Sequence, residues 1–309
     1  VTVMSSPVRL RMLVLATALT VATLVAGCAD TSDPVTGEGD STESAGEEVT
    51  VPISAVTTSL VDPGNEPREV LGPRVAPDAS QQVTLRTDFR VQQQIDDLPN
   101  QDFSAPPLAI PLTAALGNEG IGMTLGKVTT PDAALAKDLG PSAGSHAGLT
   151  VDPFGAVTAL RIRPSAKAVD NARSAIEQAL YQAVFLAVAF PKDPVGAGAV
   201  WTIRQQITGG VTLDQVTTAT LQERDGNRLT IGLDVSQTPK APVWNLPNGA
   251  GMLDIDAYAS HGSGKVTLDL SLPLPVDGSV TIGGSQDLRD PKTSTRLRQT
   301  TSNLVQWGR

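Results

Sequence analysis

The stretch Ser165–Val188, "SAKAVDNARSAIEQALYQAVFLAV", decides the fold class of this 309-residue chain. Val169, Ala172, Ile176, Leu180, Ala183, Val184 and Ala187 recur at three- and four-residue intervals. That spacing puts them on one face of a helix. Ser165 is the N-cap candidate, although Lys167 and Ala168 do not complete a capping box. Pro191 and Pro194 supply the stop. From Ala183 to Phe190 the run is apolar on all sides, so that end is buried from several directions. The spacing predicts one long helix over about 166–188.

On both sides of it the period changes from helical to alternating. "QVTLRTDFRVQ" sets Val83, Leu85, Thr87, Phe89 and Val91 against polar neighbours, which argues for a half-buried strand. "PLAIPLTAAL" and "GIGMTLGKVT" follow around Gly117-Asn118, then "HAGLTVD" and "GAVTALRIR" around Asp152-Pro153-Phe154-Gly155. After the prolines come "AGAVWTIRQQI" and a hairpin with Asp225-Gly226-Asn227 at its tip. "GMLDIDAYAS" and "GKVTLDLSLPLP" read as two strands joined by a turn at His261-Gly262-Ser263-Gly264. "DGSVTIGGS" and "STRLRQTTSNLVQW" complete the set. About ten strands around one helix predict an α+β fold. It would be a mostly antiparallel, curved β-sheet or open half-barrel packed against that helix.

The N-terminal part reads differently. Arg9 and Arg11 precede an uncharged, mostly apolar run from Met12 to Ala26, the order of a secretory signal. The run is short for a membrane-spanning helix, which needs about 20 residues. Val25-Ala26-Gly27-Cys28 resembles the lipobox of bacterial lipoproteins. The resemblance implies that Cys28 receives a diacylglycerol (hence palmitate-like chains) and becomes the first mature residue. That would anchor the protein to the outer face of the cell membrane. Cys28 is the only cysteine, so with its thiol lipidated no disulfide and no cysteine nucleophile remain.

Residues 29–80 carry eleven acids against Arg68 and Arg74, and hold most of the formal charge of −9. With so few large apolar residues at its start, and Pro52, Pro63, Pro67, Pro73 and Pro77 after, the segment reads as a disordered tether. A flexible coil of ~50 residues reaches about 40 Å. The division predicted is therefore a signal peptide at 1–27, a lipidated linker at 28–80 and one β-rich domain at 81–309. The domain itself is nearly neutral and offers no basic field for nucleic acid.

Val151-Asp152-Gly155-Val157 followed by Pro191-Pro194-Val195-Gly196-Gly198-Trp201 is similar to a motif pair of a family of uncharacterised actinobacterial secreted proteins and lipoproteins. That resemblance carries no activity. It implies a structural motif in which Gly196 and Gly198 turn the chain into a strand and Trp201 anchors the core.

Catalytic patterns are incomplete. Gly140-Pro141-Ser142-Ala143-Gly144 matches G-x-S-x-G, but the helix-like or loop segment "PDAALAKDL" stands where the elbow needs a strand. His261–Lys265, "HGSGK", lacks the glycine and hydroxyl of a phosphate loop at Ala259 and Val266. Asp254 and Asp256 share one face of a strand near His261, yet alternate with Leu253, Ile255 and Ala257 as any wet face does. Acid, base and nucleophile do not converge, so the expectation is a non-enzyme without cofactor or metal. Small residues along the helix suggest an apolar cavity instead, lined by Ile176, Leu180, Val184 and Trp201. The sequence supports a lipoprotein that binds a hydrophobic or amphipathic, lipid-like ligand. The alternative is a structural lipoprotein that engages another envelope protein.

Overall fold

The computed structural model describes residues 46–246 and 251–309. The chain forms β1 (Val49–Pro52), β2 (Thr57–Asp62), β3 (Ser80–Ile95), β4 (Gln101–Asp102), β5 (Ala105–Gly117) and β6 (Gly120–Leu125). Helix α1 (Ala133–Leu139), β7 (His146–Val151), β8 (Val157–Arg163) and helix α2 (Asp170–Val184) follow. Then come β9 (Val200–Ile207), β10 (Leu213–Asp225), β11 (Arg228–Pro239), β12 (Val243–Asn245), β13 (Met252–Asp269), β14 (Asp277–Arg289) and β15 (Arg296–Gly308). All fifteen strands join one open antiparallel sheet. Its order is β1-β8-β7-β6-β5-β3-β15-β14-β13-β11-β10-β9-β2, with β4 on β3 and β12 on β13.

Chain connectivity forces this sheet to curl. β8 and β9 stand ten strand spacings apart in that order, about 48 Å if the sheet were flat. Yet β1 pairs with β8, β2 pairs with β9, and only Ile53–Val56 lie between β1 and β2. That connection spans at most ~18 Å. The sheet therefore wraps around until its two edges nearly meet, and residues 49–62 run along the seam. Ile53 is buried and Val51, Val56 and Leu60 pack on the core from this seam. The linker expected over 28–80 is corrected here: the fold includes residues 49–62. As short edge strands, β1 and β2 present only one inward face, so their apolar pattern is thin, and an edge position tolerates Pro52.

Two further expectations are corrected. Among the described residues there is no single long helix: α2 spans 15 residues, and α1 adds seven more with Asp132 as its N-cap. Val169, not Ser165, occupies the N-cap of α2, and it makes no side-chain capping bond. The helix ends at Val184 because strand side chains take over the next carbonyl. Gln205 and Gln215 both donate to Phe185 O, at 2.7 and 2.8 Å. Nor is His261–Gly264 a turn; it lies inside β13, an 18-residue strand. Gly264 lets β13 and β14 approach so closely that a Cβ there would sit 2.0 Å from Ser279 O.

The core fills the inside of the curl. Inward residues of the strands meet Ala172, Ile176, Ala179, Leu180, Ala183 and Val184 of α2. Residues 185–190 continue into the interior and bind opposite walls. Trp201 Nε1 donates to Ala189 O at 2.8 Å, while Phe190 N donates to Phe154 O in the β7–β8 turn. The amide row extends along the wall, with Gln237 donating to Gln215 and Ser260 to Gln237. These buried amides satisfy one another, as a water-poor interior requires.

Candidate apolar ligand site

Between α2 and the sheet the core is not solid. A pocket of about 120 Å³, partly open to solvent, lies there. One wall is Leu180, Ala183 and Val184 of α2 with Leu186, Ala187 and Val188 beyond it. The facing wall comes from β6 (Ile121, Met123), β7 (Leu149, Val151), β8 (Val157, Leu160), β13 (Val266, Leu268) and β15 (Trp307). The connection 270–276 between β13 and β14, together with Pro73, forms the lip. An apolar pocket of this scale takes small apolar groups. Its volume falls below the 300–1,000 Å³ of typical small-molecule sites, so it suits one slender chain rather than a bulky body.

The pocket persists for a physical reason. Four alanine or valine side chains of α2 and its continuation, Ala183, Val184, Ala187 and Val188, face it, and they are too short to reach the opposite strands. The lip cannot collapse inward, because the Gln81 side chain holds it. Its amide donates to Leu274 O and accepts from Leu274 N, at 3.0 and 2.9 Å, in a buried setting.

The predicted lining residues divide. Leu180 and Val184 line the pocket. Ile176 is 4% exposed and belongs to the packed core, and Trp201, fully buried, stacks beside Phe190 at 6.0 Å between ring centroids. Cys28 lies outside the described residues. Reading the sequence alone misses Met123, Phe190, Trp307 and the lip. The alternation Leu270, Leu272, Leu274 with Pro273 and Pro275 was the available signal, and it reads equally well as a strand.

The other constellations do not assemble. Ser142 is buried in a short 3-10 turn after α1, and its Oγ has no partner. His146 is exposed, with Nδ1 3.3 Å from Thr124 Oγ1. Asp254 and Asp256 both pair with Arg289, at 3.2 and 3.0 Å. That guanidinium holds the Asp256 carboxyl below the usual aspartate value. His261 sits seven positions along β13 from Asp254 and lies 3.4 Å from Asp234. Among the described residues, no group of three His, Cys, Asp or Glu could hold a metal ion.

The electrostatics of the interior are uniform. Among the described residues, the buried polar side chains are Gln, Ser and Thr, besides the phenol of Tyr181. Tyr258, half-buried on the inner face, has its phenol pushed above the usual value by burial, partly offset by its hydrogen bond with Ser260. Fold and pocket together define a curled antiparallel sheet enclosing an apolar, helix-backed cavity. No family model matches the chain, and no curated protein matches it.

Proposed function

We propose that this protein is a cell-envelope lipoprotein, anchored through Cys28 to the outer face of the membrane, whose domain binds a hydrophobic or amphipathic, lipid-like ligand without catalysis. The apolar pocket beside Leu180 and Val184 carries this reading. A dry cavity costs packing energy, about 24 cal/mol per Å³ in core-truncation experiments. A chain that keeps one open with a pinned lip gains something from the space. The signal-like run Met12–Ala26 and the lipobox-like Val25–Cys28 support the location.

The test is native mass spectrometry of the full chain purified from its own membranes, followed by solvent extraction. A reproducible added mass that extracts as lipid, beyond the anchor itself, is the expected result. An apo mass with no uptake of Nile red would overturn ligand binding and leave protein interaction as the working function. The anchor is tested separately. Cys28→Ala should move the protein from the membrane to the soluble fraction and remove the anchor mass.

A further inference from the structure

We infer that the pocket selects uncharged, hydroxyl-bearing acyl amphiphiles, such as acylglycerols, and rejects those with carboxylate or phosphate heads. This rests on the pocket being a ligand site and specifies what it takes.

The lip decides the matter, because a chain buried in the pocket would bring its head group there. Anions need N–H donors or cations, and the lip offers neither. Along 270–276 every backbone N–H is already used or missing. Leu270 N donates to Asn227 O, Leu272 N to Asp269 O, and Val276 N to Thr267 O. Ser271 N donates to the Asp269 carboxylate and Leu274 N to the Gln81 side chain. Pro273 and Pro275 have no N–H at all.

The charges at this end point the same way. Among the described residues, Asp269 is the one ionisable residue in the lining, and it is an acid. Arg74 and Arg224 are both drawn onto Glu69. Lys192 lies over the Phe154 ring, 5.9 Å from its centroid. Arg228, the backbone register partner of Asp269 on β11, is exposed and lies outside the lining. Deeper in, among the described residues, no Lys, Arg or His is buried to neutralise an anion, and an unpaired charge in such surroundings is strongly disfavoured. What the lip does offer is acceptors: the Asp269 carboxylate, whose Oδ1 already takes Ser271 N and Oγ, and the Pro275 carbonyl, which also accepts from Gln81 Nε2. Those suit a hydroxylated, uncharged head that donates.

The experiment is displacement of Nile red from the purified full chain by three ligands of one chain length: monolauroylglycerol, methyl laurate and laurate. Each is kept below its aggregation concentration at neutral pH. Monolauroylglycerol should displace the dye at about tenfold lower concentration than laurate, with methyl laurate between them. Asp269→Asn, which replaces an acceptor by a partial donor, should reduce that ratio to about threefold or less. Laurate binding as well as monolauroylglycerol would overturn the selectivity and leave the ligand site standing. No Nile red uptake and no displacement by any of the three would overturn the ligand site itself, and the selectivity with it.

Discussion

At the scale of the residue, Trp201 shows how a side chain can be structural while standing beside a candidate site. It is fully buried, and its Nε1 donates to Ala189 O at 2.8 Å. That bond fixes the irregular segment after α2, whose Ala187 and Val188 line the pocket. Trp201→Phe keeps the ring and removes the donor, so a buried carbonyl loses its partner. The expected loss is about 1–3 kcal/mol of stability, read from the urea midpoint. Nile red affinity should stay within about twofold, because the ring is not on the lining. A large loss of dye binding with stability unchanged would instead place Trp201 in contact with ligand.

At the scale of the element, the contrast between α2 and β13 shows what was legible. The helical period of Ala172, Ile176, Leu180 and Ala183 identifies α2 as the element that backs the cavity. Its ends were not legible, since hydrogen bonds from β9 and β10, distant in sequence, take Phe185 O and replace the proline stop. In β13 the glycines that allow close strand approach are the same residues that signal a turn, so local reading splits one strand into two. The pocket was half legible for the same reason: α2 shows its apolar face, but the lip is set by partners distant in sequence, Gln81 at Leu274 and Asn227 at Leu270. Two substitutions on α2 separate packing from pocket. Val184→Trp puts new bulk into empty space. It should weaken Nile red binding about tenfold or more while changing stability by less than about 1 kcal/mol. Ile176→Trp puts the same bulk into filled core and should destabilise by about 1–3 kcal/mol or more. If Val184→Trp leaves dye binding intact, the dye is not in this pocket.

At the scale of the molecule, closure of the curl depends on residues whose composition resembles a tether. Val49–Pro52 gives β8 its outer partner, and Thr57–Asp62 does the same for β9. Only extended backbone and four inward apolar side chains, Val51, Ile53, Val56 and Leu60, mark this role, within a segment, residues 29–80, that holds eleven acids and six prolines. Two truncations test it. Removing residues 1–45 leaves every pairing of β1 and β2 in place, so the urea midpoint should match that of the full chain. Removing residues 1–62 strips both edges and takes those four side chains from the core. Full burial of each such side chain is worth about 1.5–3 kcal/mol, and most of these are only partly buried, so a loss of several kcal/mol is expected. The bared β8 and β9 would also offer unpaired N–H and C=O groups to other chains, so the shorter protein should form aggregates that light scattering detects. Equal midpoints for the two truncations would mean that the seam is ornamental and that the fold begins after residue 62. The curl would then have to be held by α2 and residues 185–190 alone, through Trp201, Gln205 and Gln215 on one wall and Phe154 on the other.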